Sequence, residues 1–180
     1  MPQPPVPPAR VKVWDLPVRL LHWGLAAAVA GAWWASGSNV RWHEPVGYAA
    51  AACVALRLAW GLVGSRHARF ADFVRGPRAT AAYAGLLLRG REPRHLGHNP
   101  LGGWMALALW AGVSATAFTG WLYTTDAYWG EPWLDLLHRV LAWAVVVLVA
   151  LHLAGVAFTG WRHRENLVAA MFSGLKRLRD

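Results

Sequence analysis

The chain has 180 residues, of which 56% are hydrophobic and only 15% are charged, against about 25% charged residues in an ordinary soluble domain. It nevertheless carries 18 Lys and Arg against nine Asp and Glu, a formal net charge of +9. This hydrophobicity excludes a disordered chain and would give a soluble domain large exposed apolar patches. The single Cys53 excludes an internal disulfide framework and a cysteine-ligated zinc or iron–sulfur site. We expect Cys53 to be a small buried hydrophobe.

The N-terminal segment is predicted to be a flexible tail over residues 1–12, because residues 1–8 are rich in proline and show no periodicity. Residues 13–180 are predicted to form a single domain. Asp15, followed by Leu16 and Pro17, predicts the start of the first helix, because a carboxylate cap and a proline in the first turn both favour a helix N-terminus.

Four apolar runs approach the length of about 20 residues that a membrane helix needs. They cover residues 20–36, 46–63, 101–123 and 137–160. The sequence therefore predicts an all-α membrane protein with a bundle of four transmembrane helices. The ten-residue run 79–88 is too short to span a membrane and is predicted to lie along its interface. The first run has the basic flank of a signal peptide, but the histidine and tryptophans within it favour a helix that is retained.

The basic residues predict the orientation of these four spans. If all four runs cross the membrane, 15 of the 18 Lys and Arg fall on the face that carries both termini. Since basic residues favour the cytoplasmic side, both termini are predicted to be cytoplasmic. The basicity then marks topology, and nucleic-acid binding, the other function that a basic chain suggests, is not expected. Three acidic residues of the outer loop, Asp126, Glu131 and Asp135, either contact a basic partner or are simply solvated.

Four histidines lie at two matched depths of the predicted bundle. His138 and His152 are 14 residues apart, which places them on the same side of one helix and about 21 Å apart along its axis. His22 lies at the inner depth and His43 at the outer depth. The suggested pairs are His22 with His152 and His43 with His138, and such pairs suit bis-histidine haem iron inside a four-helix bundle. His98, at the inner end of the third run, competes with His22 as the partner of His152.

Small residues stand beside three of these histidines. Gly24 is next to His22, Gly47 follows His43 by one helical turn, and Gly155 is three residues beyond His152. Glycine at these positions would let a porphyrin approach the helix backbone, but small residues also pack membrane helices against one another. On the glycines alone, helix packing is the preferred interpretation.

Arg57 interrupts the second apolar run and needs a partner. The side chain either neutralises a haem propionate at the inner site or extends toward the cytoplasm. Its position 14 residues after His43 places it at the inner depth. The sequence does not choose between the two interpretations.

Five segments in order carry a resemblance to a known family. They read VWDLPVRLLHW at residues 13–23, HEPVGY at 43–48, GSRHARFADFVRGP at 64–77, LGHNPLGG at 96–103 and WRHRENL at 161–167. Together they resemble the bacterial cytochrome b561 family, which includes cytochrome b subunits related to those of membrane-bound hydrogenases. The resemblance covers about residues 11–178. It implies a four-helix cytochrome of the bacterial inner membrane, and the ligand positions of its two-haem members match His22, His43, His138 and His152.

The resemblance also implies an exchange of electrons with membrane quinone and a redox partner. The partner differs between branches of the family: a hydrogenase, a small c-type cytochrome or a small oxidant such as superoxide. Around the inner haem, Arg57, His98 and Asn99 are candidates for a quinone site. The residues do not decide between an enzyme and a carrier, or between a monomer and a homodimer. The alternative is a non-redox membrane anchor or transporter subunit, in which the histidines serve structure or a proton relay.

Overall fold

The computed structural model describes residues 10–178, so most of the predicted tail, residues 1–9, lies outside the described residues. The described elements, in chain order, are β1 (Arg10–Lys12), α1 (Leu16–Ser38), α2 (Val40–Val63), a 3₁₀ turn (Arg66–Ala68), α3 (Phe70–Phe73), α4 (Pro77–Leu88), α5 (Pro100–Tyr123), α6 (Pro132–His163), α7 (Leu167–Ser173) and β2 (Leu175–Arg177). The four long helices α1, α2, α5 and α6 contain the four predicted runs.

Three of the long helices, α1, α2 and α6, extend beyond their apolar runs into polar residues, whereas α5 adds only Pro100. The predicted start of α1 is confirmed, because Asp15 Oδ1 accepts a hydrogen bond from the Val18 amide at 2.8 Å. α2 begins six residues earlier than its run, because Asn39 alone turns the chain between α1 and α2. α6 has 32 residues and also begins before its run. The short run 79–88 forms a helix as predicted, within α4.

Three of these helices are long and apolar enough to cross a membrane, namely Arg41–Val63 in α2, Pro100–Tyr123 and Pro132–His163. α1 has 23 residues but is not among them, since His22 and several tryptophan, glycine and serine residues lower its hydropathy. The chain is therefore a multi-pass membrane protein.

The long helices pack in the order α1, α2, α5 and α6. A mid-depth core of small and β-branched side chains joins them: Ala28, Ala50, Val54, Val113 and Val145. The half-buried Cys53 lies against Gly24 between α1 and α2. The backbone of α6 lies closer to α5 than to α1 or α2. Ring contacts join α6 to the first two helices, among them Trp33 with Trp143.

Both ends of the described chain meet at one end of the bundle. β1 pairs antiparallel with β2, with Arg10 opposite Arg177. The amides of Val13 and Trp14 both donate to the carbonyl of Gly174, and a second buried cluster forms beneath them from Val13, Trp14, Val18 and Ala68. Residues 10–12 were predicted to belong to the flexible tail, but the structure places them in a paired strand.

Candidate functional site

The inner histidine pair joins α1 to α6. The rings of His22 and His152 have centroids 6.4 Å apart, with an angle of 51° between their planes. His22 lies nearly two turns inside α1, because the helix begins at Leu16, and this removes the mismatch in depth between the two residues. The Nδ1 atom of His22 is buried and has no hydrogen-bond partner among the described residues.

The outer histidine pair joins α2 to α6. The rings of His43 and His138 have centroids 5.9 Å apart. His43 Nδ1 lies 2.9 Å from the carbonyl oxygen of Ala32, and His138 Nδ1 lies 3.0 Å from that of Thr116. Since a carbonyl only accepts, each Nδ1 donates and each Nε2 keeps its lone pair. This is the arrangement that orients a histidine as a metal ligand.

Both pairs fit a haem. Two imidazoles that share one transition metal, each through a nitrogen at about 2 Å, have ring centres about 6 Å apart. The two observed separations match this value. Among residues 10–178 no group of three or more His, Cys, Asp or Glu side chains is arranged to hold a metal ion. The two histidines of each pair would hold the iron of a haem, whose porphyrin would supply the remaining ligands.

The glycines beside the histidines differ in what surrounds them. A Cβ atom built on Gly47 or on Gly155 would meet nothing within 4 Å, whereas one built on Gly24 would lie 3.4 Å from Cys53 Sγ. Helix packing, the preferred interpretation, therefore holds for Gly24 but not for Gly47 or Gly155, which meet none of the described residues. Gly47 leaves open space beside His43, whereas Gly155 lies on an exposed part of α6. On the neighbouring helix α5, a Cβ on Gly120 would lie 3.0 Å from His138 Cε1, so glycine there makes room for the ring.

Arg57 is buried in the inner half of the bundle, with only 5% of its surface exposed. Its Nη2 donates to the carbonyl of Ala68 at 3.0 Å, and its guanidinium lies over the Trp110 ring at 4.8 Å and the Phe73 ring at 5.9 Å. Its Nη1 is buried without a partner among the described residues. The side chain thus does not extend into solvent, and it keeps one donor for an anionic group.

His98 lies just before α5, edge-on to Trp14 and tilted against Phe73, with centroid distances of 4.9 Å to each. Burial, followed by the positive charge of Arg57, lowers the pKa of His98 to about 3, so the imidazole is neutral near pH 7. Its Nδ1 atom is buried without a partner in the described part of the chain. The ring contact of His152 is with His22, not with His98.

Asn99 has a local partner. Its Oδ1 caps α5 by accepting from the Gly102 amide at 2.7 Å. This contact leaves Asn99 less free than Arg57 or His98 to meet a bound molecule.

The remaining inner histidines, His67, His95 and His163, are half-buried in loop contacts. His67 Nδ1 lies 3.0 Å from Asp72 Oδ2, and the His95 ring meets Tyr83 edge-on. His163 Nε2 lies 4.0 Å from Glu92 Oε1. These contacts tie the inner loop to itself and to the end of α6.

Comparison with models of known protein families gives a match over most of the chain. A model of the prokaryotic cytochrome b561 family matches residues 13–174. No curated protein and no solved structure matches the chain. The family match spans all four long helices, both histidine pairs and the five segments that carry the resemblance. The chain therefore belongs to the prokaryotic cytochrome b561 family.

Proposed function

We propose that this chain carries electrons across the membrane through two b-type haems, one held by each histidine pair. The observation that carries the proposal is the presence of two pairs, each from two helices, with ring centroids 6.4 and 5.9 Å apart. Membership of the prokaryotic cytochrome b561 family supports a membrane b-type cytochrome in electron transfer. Haem iron, when bound, supplies reversible one-electron exchange.

The chain's own residues would hold and insulate the two sites. The backbone carbonyls of Ala32 and Thr116 fix the orientation of the outer imidazoles. At the inner site, Arg57 Nη1 is a buried donor available to a propionate. The aliphatic mid-depth core lies between the two pairs and excludes water from the space that separates them.

The proposed topology has four spans with both termini in the cytoplasm of a bacterium. The end of the bundle that carries the paired strands also carries the arginine-rich loop and α4, and this excess of basic residues favours the cytoplasmic side. α1 completes the bundle as the fourth span because it contributes His22 at the same depth as His152. The outer pair then lies at the periplasmic side of the inner membrane.

The proposed partners are membrane quinone at the inner side and a redox partner in the periplasm, which is a c-type cytochrome, a hydrogenase or a small oxidant. Two buried nitrogen atoms without a partner among the described residues, Arg57 Nη1 and His98 Nδ1, support a quinone site near the inner pair. At the outer side, Asp126 and Glu131 are exposed for a basic partner, whereas Asp135 is already paired with Arg139 at 2.8 Å. Assembly as a homodimer is compatible with the exposed apolar faces of the long helices.

Matched histidine variants test the two-haem proposal. His43→Ala should remove the outer haem and His22→Ala the inner one, each lowering the haem-to-protein ratio from two to one. The sites should behave independently because they lie about 21 Å apart along α6. His95→Ala, which removes a histidine outside both pairs, should keep two haems. Loss of both haems from His43→Ala with an intact fold would contradict the pairing, and absence of b-type absorption from the unmodified protein would favour the anchor or transporter.

The quinone proposal has a separate test. His98→Asn should keep both haems and slow the reduction of the oxidised protein by added quinol. Loss of a haem from this variant would make His98 a ligand and contradict its assignment. Unchanged reduction kinetics would exclude His98 from the quinone site.

A further inference from the structure

An apolar groove runs between α4 and the first turns of α5. Its cavity volume is about 430 Å³, and it is lined by Pro77, Thr80, Ala81, Ala84, Leu101 and Trp104. This volume falls within the range of about 300–1,000 Å³ that is usual for ligand clefts. The alanines leave the space that larger side chains would fill.

The polar groups of this groove are already bonded within the protein. Trp104 Nε1 donates to the Arg75 carbonyl at 2.9 Å and lies 3.1 Å from Thr80 Oγ1. The Thr80 hydroxyl in turn donates to the Gly76 carbonyl at 3.2 Å. The groove therefore presents hydrocarbon surface with no free donor, which suits an acyl chain and not a polar ligand.

Two arginines stand at the end of the groove where α4 begins. Arg75 is fixed there by the bond from Trp104 to its carbonyl, and Arg78 follows the lining residue Pro77. Both side chains are exposed. Arg75 Nη2 donates to the Asp72 carbonyl at 2.7 Å and its other nitrogens remain for a phosphate, whereas Arg78 makes no ion pair within residues 10–178. α4 contains no Asp or Glu, so nothing on this helix offsets their charge.

The residues around the groove are typical of the boundary between lipid headgroups and the apolar layer. Leu101 and Trp104 belong to the first two turns of α5, a helix long and apolar enough to cross a membrane. Trp104 is 43% exposed, and tryptophan favours the membrane interface. At the other end of α4, Leu88 is 89% exposed, as expected of a helix that lies on the bilayer.

We propose that this groove binds one anionic phospholipid of the surrounding membrane. An acyl chain would occupy the groove between α4 and α5, and the phosphate would meet the guanidinium groups of Arg75 and Arg78. Basic pockets between membrane helices on the cytoplasmic side favour lipids with a net negative headgroup. The site is separate from both histidine pairs, so the proposal does not depend on haem binding.

The test uses the full-length haem-loaded protein and measures retained lipid by native mass spectrometry. The probes are phosphatidylglycerol and phosphatidylcholine with the same acyl chains, offered in equal amounts. We expect preferential retention of phosphatidylglycerol. Arg78→Gln should reduce that retention about fivefold, as expected for one interfacial arginine, and Ala84→Phe should reduce the retention of both lipids by filling the groove.

Two control variants distinguish lipid binding in the groove from lipid binding elsewhere on the protein surface. Arg91→Gln removes an exposed arginine beyond the far end of α4, and Ala82→Phe adds the same ring at an exposed position of α4 that does not line the groove. Both should retain lipid like the unmodified protein. An equal loss in Arg91→Gln and Arg78→Gln, equal retention of the two lipids, or unchanged retention in Ala84→Phe would overturn the proposal. Displacement of a quinone, instead of phospholipid, by Ala84→Phe would also overturn it.

Discussion

Gly47 offers a test of where the outer cofactor lies, because the described residues leave open space beside it. It follows His43 by one helical turn, and a Cβ there would meet nothing within 4 Å. Leu is the better helix former by about 1 kcal/mol, so Gly47→Leu should not weaken α2. If a porphyrin fills the space, the added side chain overpacks it at a cost of about 1–3 kcal/mol. That cost corresponds to haem binding weakened by about 5- to 150-fold.

The assay is the rate at which haem leaves the purified protein for an excess of a haem-binding apoprotein. One of the two haems should leave faster from Gly47→Leu, while the other keeps its original rate. Gly37→Leu is the matched control, since Gly37 lies at the same end of the bundle, and a Cβ there also meets nothing within 4 Å. Identical rates for Gly47→Leu, Gly37→Leu and the unmodified protein would refute the placement of a porphyrin beside His43.

Two further predictions concern the inner end of the bundle, and both are checked by unfolding in mixed micelles. Asp15→Ala should lower the free energy of unfolding by about 2–4 kcal/mol, because it removes the cap on the Val18 amide and the acceptor of the hydrogen bond from Trp60 Nε1. A change below about 0.5 kcal/mol would contradict this prediction. Burial raises and the hydrogen bonds lower the pKa of Asp15, with a net lowering from 3.8. Its contribution should therefore be present above about pH 4 and be lost as the pH falls through the folded-state pKa. Glu165→Ala should cost about 3 kcal/mol, because Glu165 pairs with both the buried Lys176 ammonium and Arg94, and adding Lys176→Met should recover part of that loss.

The sequence predicted the long helices because they depend on local hydrophobicity, and it predicted the histidine pairs because the depth of each histidine follows from its position along its own helix. A spacing of 14 residues puts His138 and His152 on one side of any α-helix, whatever the rest of the fold does. The boundaries were less accurate. The start of α2 depends on Asn39 alone turning the chain, and a one-residue connection leaves little signal in an apolar pattern.

Contacts between distant segments were not predictable in the same way. The outer imidazoles are held by the backbone carbonyls of Ala32 and Thr116. Every residue has a backbone carbonyl, so the sequence does not show which one accepts the hydrogen bond. The setting of Arg57 depends on Ala68 and on Trp110 of another helix. The three-residue strands are too short to show an alternating pattern. Their pairing depends on the hydrogen bonds from the amides of Val13 and Trp14 to the carbonyl of Gly174.

The most direct test of the account is the haem content of the purified unmodified protein, measured together with its oxidised and reduced visible spectra. Two histidine pairs with ring centroids 6.4 and 5.9 Å apart predict two b-type haems per chain. A ratio near two with b-type absorption would support a two-haem carrier. A ratio near one would contradict the assignment of a haem to each pair, and a protein without b-type absorption would contradict electron transfer through haem altogether.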